Sequence, residues 1–241
     1  MTISPLGDSA VVITLGDQIN EATLLRVRSL TAALEVEQSP AIIDVVPAYS
    51  TVTVFYEIAA AGGGPDTPYE RIRKIVAKCL RKIEDRWPDR LREELERRQV
   101  TDPPRVVEIP VCYGGDFGPD LEEVARHAGL GPDDVVRLHA GANYDVYAVG
   151  FAPGFPYLGG LPERLHTPRR ATPRVHVPAG SVGIGGAQTG VYPLSTPGGW
   201  QLIGRTPRSL FNVRNVPPAL LRVGERVRFR SITTEEFAAW N

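Results

Sequence analysis

The stretch GSVGIGGAQTGVYPLSTPGGWQLIGRT, residues 180–206, decides the fold of the second half of this 241-residue chain. Its short runs of β-branched and aromatic residues, such as SVGIG and WQLIGR, are separated by glycine or proline every few positions. Residues 143–218 hold 11 of the 22 prolines and 12 of the 24 glycines. Short strands cut by frequent turns are typical of a barrel or another compact all-β domain.

The same stretch is not a nucleotide-binding loop. A Walker loop needs GxxxxGK[ST], and the three lysines of the chain, at positions 74, 78 and 82, all lie far upstream. GIGG is not GxGxxG and no helical pattern follows it, so a dinucleotide fold is not predicted either. We expect the glycines to permit tight barrel turns and a close approach of the backbone to a small ligand or a partner chain.

The N-terminal part of the chain alternates strand and helix patterns. AVVITL is a strand-like run, residues 19–37 have helical spacing, and AIIDVVPA and STVTVFYEI are two strands close enough to pair. A helix then begins with Thr67 as cap and Pro68 as its first residue. Pro-Pro near residue 102 marks a boundary. The predicted fold class is α+β, with an N-terminal α+β domain at 1–102 and a β-barrel domain at 103–241.

Composition limits the partners that the chain can have. The formal net charge is −1, so nucleic acid and anionic membranes are not expected partners. The basic helical segment at residues 70–98 is interpreted as a solvated helix face. With neither a leader pattern nor an apolar run of about 20 residues, we expect a cytoplasmic protein. Cys79 and Cys112 are interpreted as buried structural thiols, and no metal site is predicted.

Positive charge accumulates in the second half. From Arg164 to Gly224 no Asp or Glu occurs, whereas eight arginines do. Glycine-rich chain with arginine as its permanent charge suits a carboxylate or phosphate ligand, but it lacks the carboxylate base that most hydrolases use. The remaining acid–base candidates are His166, His176, Tyr157, Tyr192 and Ser181. The catalytic residues are not identified, and His166 is the one weak candidate among these. FAPGFPYLGG, residues 151–160, is interpreted as a wall for an apolar ligand or as barrel-end packing.

Residues 150–206, GFAPGFPYLGGLPERLHTPRRATPRVHVPAGSVGIGGAQTGVYPLSTPGGWQLIGRT, closely resemble the KipI family, the B subunit of bacterial 5-oxoprolinase, also labelled allophanate hydrolase subunit 1. The resemblance extends upstream through EIPVCYGGDFGPDLEEVARHAGL and more loosely to the N-terminal domain. It implies a cyclophilin-like β-barrel as the second domain. It also implies a homologous C subunit (KipA-like) and an A subunit (LamB/YcsF-like) as partners, with which the chain converts 5-oxoproline to glutamate at the expense of ATP.

The resemblance also suggests site residues. A carboxylate-bearing cyclic amide is the expected substrate, and Arg205 in LIGRT is the first choice for an anion clamp. The backbone amides of Gly183, Gly185 and Gly186 are expected anion donors. The residues expected to contact the substrate are Tyr157, Arg169, Arg174, Ser181, Gln188, Tyr192, Trp200 and Arg205.

Two other functions remain open at this point. One branch of the family inhibits a histidine kinase, which would make the chain a regulatory binding module. Related domains in urea carboxylases would instead make it an accessory domain acting on a urea-derived substrate. No ATP motif is recognisable in the chain, so ATP contact would use a non-standard site or lie largely on a partner.

Overall fold

The computed structural model describes residues 1–62, 65–84 and 106–240. Two compact units divide the chain, Met1–Pro103 and Pro104–Asn241. The boundary predicted near residue 102 lies outside the described residues, and so does the part of the basic helical segment beyond Glu84. The predicted fold class is confirmed, because one unit combines helices with a sheet and the other contains a closed barrel.

The first unit is a small antiparallel sheet with helices. Its described elements are β1 (Thr2–Pro5), β2 (Ala10–Thr14), α1 (Glu21–Glu37), β3 (Ile42–Ala48), β4 (Thr51–Tyr56), α2 (Ile58–Ala61) and α3 (Pro68–Glu84). The strands pair in the order β1-β2-β4-β3. The sequence predicted β2, β3, β4, α1 and α3, whereas the short polar strand β1 was missed.

Alternation places the core of this unit on one side of its sheet. Val11 and Ile13 of β2 are fully buried together with Val52 and Val54 of β4, and the apolar stripes of α1 and α3 pack on them. Helix α3 begins as predicted, because the Thr67 hydroxyl accepts from the Glu70 amide at 3.2 Å.

Ion pairs with acidic side chains engage the three lysines of α3. The Lys74 ammonium lies 2.6 Å from Asp66, and those of Lys78 and Lys82 lie 2.5 and 3.6 Å from Glu37. All three lysines are more than half exposed, as expected of a solvated helix face. None of the described helices combines the length and the apolar character that a membrane span requires.

The second unit is built around the barrel. Its described elements are β5 (Val106–Tyr113), α4 (Leu121–Ala128), α5 (Pro132–Gly141), β6 (Asn143–Val149), β7 (Pro156–Gly159), a 3-10 turn (Glu163–Leu165), β8 (Arg174–Val177), β9 (Ser181–Gly185), β10 (Gln188–Val191), β11 (Thr196–Gly198), β12 (Gln201–Arg205), β13 (Arg226–Ser231) and α6 (Thr234–Ala238). Seven strands follow in the order β6-β13-β5-β12-β9-β10-β7, and pairing of β7 with β6 closes the ring. Strands β8 and β11 form a separate two-stranded ribbon.

Candidate ligand-binding site

Strand β9 presents different residue types on its two sides. Val182 and Ile184 belong to the barrel core. Because side chains alternate along a strand, Ser181, Gly183 and Gly185 lie on the opposite side, which we call the outer face. The outer face of the barrel therefore has almost no side-chain bulk along this strand.

The indole of Trp200 lies directly on this glycine surface. A Cβ added at Gly185 would come within 2.6 Å of the indole Cε2, and one at Gly183 within 3.1 Å of the Trp200 Cβ. A Cβ at Gly190 of β10 would likewise meet the ring at 3.1 Å. The glycines are needed here because a large aromatic side chain approaches the backbone closely.

This placement corrects the expectation that glycine amides bind an anion. Gly183 and Gly185 lie in a strand that pairs with β10 on one side and β12 on the other. The amide of Gly186 donates to the Thr167 carbonyl at 2.8 Å. The barrel itself uses this part of the backbone, so the anion-donor role loses its support.

Trp200 belongs to a group of five packed aromatic rings, which we call the aromatic cluster. Its members are Phe151, Phe155, Tyr157, Tyr192 and Trp200. Phe155 lies at the centre and packs edge-on against the other four rings. The distance between ring centroids is 4.9 Å to Tyr157, 5.1 Å to Tyr192 and 5.5 Å to both Trp200 and Phe151. Phe151 is 64% exposed and has a positive φ of 69°. Both interpretations of residues 151–160, a ligand wall and barrel-end packing, are compatible with this arrangement.

Positive charge lies at the edge of the cluster. The guanidinium carbon of Arg169 is 5.7 Å from the centre of the Trp200 ring, within cation–π range. Burial raises the pKa of the Tyr192 phenol, opposed by a backbone hydrogen bond from Trp200 and by the charges of Arg169 and Arg174. The phenol therefore stays protonated at neutral pH and sits within the field of two arginines.

The carboxylate of Asp120, which was not among the predicted site residues, pairs with two of the arginines in this region. Asp120 is 5% exposed, and its Oδ1 accepts from Arg174 Nη2 at 2.7 Å and from Arg170 Nη1 at 3.1 Å. Its Oδ2 accepts from the Leu202 amide at 2.7 Å. The arginine-rich segment lacks acids in sequence but not in space, which corrects the expectation of a carboxylate-free wall.

The sequence around Asp120 is typical of a helix start. In a Gly-Pro-Asp run such as the one before α4, an aspartate at the N-cap normally accepts from the helix backbone. Asp120 occupies the N-cap position, yet its side chain makes no capping hydrogen bond. Because its partners lie 50 to 82 residues away along the chain, local pattern could not reveal them.

Three buried polar atoms near this region lack a hydrogen-bond partner among the described residues. They are Arg174 Nη1, Thr196 Oγ1 and Gln201 Oε1. Arg174 and Thr196 belong to the two strands of the β8–β11 ribbon, and Gln201 follows Trp200 directly. A buried polar group without a partner costs about 1–3 kcal/mol, so each of these atoms is a candidate for contact with a polar ligand.

The structure brings together most, but not all, of the predicted contact residues. Tyr157, Arg169, Arg174, Tyr192 and Trp200 meet around the aromatic cluster. Ser181 lies on the same outer face and is buried, and Gln188 pairs in register with Gly185. Arg205 differs: its Nε donates to the Ala179 carbonyl at 2.9 Å, and no contact with the aromatic cluster is seen in the described structure.

The two histidines of the segment are placed differently. His166 follows the 3-10 turn, and its Nε2 lies 3.2 Å from the Leu161 carbonyl, so this nitrogen holds the local chain. His176, two residues beyond Arg174 on β8, forms a 2.7 Å hydrogen bond through Nε2 with the Ser195 hydroxyl. This exposed pair was not foreseen, because the two residues are 19 positions apart.

Comparison with known proteins defines the class to which this fold and site belong. Residues 1–221 match the family described as "Carboxyltransferase domain, subdomain C and D". The chain belongs to this family. A urea amidolyase from Kluyveromyces lactis has the same fold, with a TM-score of 0.71, 18% identity and coverage of 98% of this chain and 15% of that one.

Closer relatives have a more specific name. The chain is 45% identical over 242 residues to the B subunit of 5-oxoprolinase from Bacillus subtilis, in an alignment that covers 99% of this chain and 95% of the relative. It is 46% identical to the protein of the same name from Escherichia coli O157:H7, over 93% of both chains. A conserved uncharacterized protein of Pyrococcus horikoshii is 42% identical, with a TM-score of 0.54 and coverage of 98% and 100%. The resemblance predicted from residues 150–206 is thereby confirmed.

Proposed function

We propose that this chain is the B subunit of an ATP-dependent 5-oxoprolinase, which acts with a homologous C subunit and an A subunit to convert 5-oxoproline to L-glutamate. The observation that carries the proposal is the similarity, from end to end, to two proteins that are named as B subunits of 5-oxoprolinase. The geometry of the outer face supports it, because a small ring with one carboxylate matches an aromatic wall edged by arginines.

The ring and the carboxylate of the ligand each have a counterpart in the site. The ring of 5-oxoproline packs against the edges of Tyr157 and Trp200. Its carboxylate accepts from Arg174 Nη1, which has no other partner in the described structure, and the Tyr192 hydroxyl is a further donor.

The chain binds and orients the substrate, and other subunits supply the rest of the chemistry. A lactam is a poor electrophile, and ATP would activate it by transfer of its terminal phosphate to the carbonyl oxygen, with ADP as the leaving group. Asp120 already accepts from three donors, so it is not a free base. Lysine often holds phosphates, but the three lysines of α3 are paired with Asp66 and Glu37. We therefore place ATP mainly on the partner subunits.

Reconstitution of the complex tests the proposal. Purified A and C subunits are mixed with 5-oxoproline and ATP, with and without this chain, and glutamate and ADP are both measured. We expect glutamate release to depend on this chain, with ADP formed in parallel. Equal glutamate release from A and C alone would exclude an enzymatic role for the chain.

Competition separates the urea alternative from the main proposal. If the chain served a urea-derived substrate, urea would inhibit glutamate release in competition with 5-oxoproline. We expect no such competition, because urea has no carboxylate for Arg174. The kinase-inhibitor alternative predicts lower autophosphorylation of a histidine kinase from the same source, and no feature of the described structure favours it.

A further inference from the structure

We propose that Asp120 is a positioning residue, which holds Arg174 so that its free Nη1 binds the carboxylate of the ligand. The inference rests on the proposed function and adds a residue that sequence reasoning did not include. Asp120 acts through Arg174 and does not itself contact the ligand.

The Asp120 carboxylate is fully engaged by other groups of the chain. Its carboxylate is buried and accepts from the Leu202 amide, from Arg174 Nη2 and from Arg170 Nη1. The Asp120 amide also donates to the Leu202 carbonyl at 2.8 Å, so the backbone on both sides of the contact is fixed. An N-cap aspartate that leaves its own helix uncapped forgoes about 1 kcal/mol of helix stability. Its side chain is therefore used for another contact.

The Arg174 guanidinium has a fixed orientation. A guanidinium is planar, so a 2.7 Å contact at Nη2 fixes the direction in which Nη1 points. Nη1 is buried and has no hydrogen-bond partner in the described structure. Carboxylates bind such groups in the plane of the guanidinium, which makes this nitrogen a suitable donor for a ligand oxygen.

The charges around Asp120 do not cancel. Asp120 faces two guanidinium groups, those of Arg170 and Arg174, so the three together carry one positive charge. Arg169 adds a second positive charge at the Trp200 ring. One ligand carboxylate neutralises the charge of these three side chains. The site therefore selects a small monocarboxylate over its neutral amide.

The experiment compares an acid with its amide in the reconstituted complex. 5-Oxoprolinamide carries a neutral amide in place of the carboxylate. For each protein, the preference for the acid is the inhibition constant of 5-oxoprolinamide divided by the KM for 5-oxoproline. Because both constants come from the same preparation, a partly unfolded fraction cancels in the ratio. The variants are Asp120→Asn, which keeps the acceptor for the Leu202 amide, and Glu123→Gln as the matched control. Glu123 lies on the same helix, is exposed, and pairs with Arg126.

We expect the wild-type complex to prefer the acid by about tenfold or more, the scale of one charge-assisted hydrogen bond. Asp120→Asn is expected to reduce the preference to about threefold or less with kcat little changed, and Glu123→Gln to retain it. An Asp120→Asn complex that keeps the full preference, or a wild type without any preference, overturns the inference.

Failure of the proposed function is recognised separately. If the wild-type complex releases no glutamate, that function is wrong, and the same acid and amide are then titrated calorimetrically into the wild-type and Asp120→Asn complexes. A preference for the acid that the variant loses would still support the positioning role. Binding of neither ligand, or an unchanged preference, contradicts it.

Discussion

The two sides of the barrel wall at β9 and β10 differ in whether their buried polar atoms have hydrogen-bond partners. On the inner side, His139 is completely buried, its Nδ1 lies 2.8 Å from the Tyr113 hydroxyl and its Nε2 2.9 Å from Thr189 Oγ1. The Thr189 hydroxyl in turn donates to the Gly183 carbonyl, so it must accept from Nε2 and the imidazole is neutral. Every polar atom of this chain of contacts has a partner.

On the outer side, a donor remains without a partner. Arg174 Nη1 is buried and unmatched in the described structure, although the same guanidinium pairs with Asp120. A fully satisfied neutral network stabilises a fold, whereas an unsatisfied charged one indicates a ligand site. The comparison therefore assigns structure to His139 and binding to Arg174, although both residues are largely buried.

The largest expected effect concerns the inner side. Burial lowers the pKa of His139 to about 3, from an ordinary value of 6.5. Because the folded state disfavours the charged ring, the contribution of neutral His139 to the free energy of unfolding is complete above pH 6.5. It is lost as the pH falls from 6.5 toward 3. The loss is on the order of 5 kcal/mol.

Urea unfolding of the isolated chain at several pH values measures this effect, with His139→Gln as the comparison. The wild type should lose more unfolding free energy than the variant between pH 7 and pH 4. Parallel pH profiles for the two proteins would show that the ring is not held neutral by the fold.

The next effect concerns the contact between the glycines and Trp200. Gly185→Ala places a Cβ about where the indole lies, so we expect a loss of roughly 1–3 kcal/mol in unfolding free energy. Gly141→Ala is the control, because nothing lies within 4 Å of its added Cβ. Urea unfolding at neutral pH measures both variants. If Gly185→Ala were as stable as the control, the close approach of Trp200 would be wrong.

The smallest effect concerns Phe151 at the exposed edge of the aromatic cluster. Its φ of 69° is left-handed, a conformation that glycine adopts without strain. Phe151→Gly should therefore be more stable than Phe151→Ala by about 1 kcal/mol, as measured by thermal or urea unfolding. The reverse order would mean that this backbone is not held in the left-handed region.

The sequence predicted the elements well and the site only in part. Alternation and glycine or proline punctuation located β2, β9 and β12, because these signals are local. Glycines at alternate positions 183 and 185, followed by Trp200, could also have predicted an aromatic ring on a bare strand. The contact of Asp120 with Arg174 spans 54 residues and depends on closure of the barrel, so no local pattern contains it.

Arg205 is a residue that the sequence pattern favoured and the three-dimensional arrangement does not. Its position in LIGRT made it the first choice for an anion clamp, but the structure fixes its guanidinium against the Ala179 carbonyl at the far end of β12. Arg174 was one residue among eight in the sequence-based set. Only the arrangement of Asp120, Tyr192 and Trp200 around it makes it the better candidate.

A comparison of two arginines therefore tests the position of the carboxylate site most directly. Arg174→Gln and Arg205→Gln remove the same charge from the same domain, and the value of kcat/KM for 5-oxoproline is measured in the reconstituted complex for each. We expect Arg174→Gln to lower it about a hundredfold, the scale of a lost charge-assisted contact, and Arg205→Gln to lower it less than about threefold. A larger loss in Arg205→Gln than in Arg174→Gln would contradict the placement of the carboxylate site at Arg174.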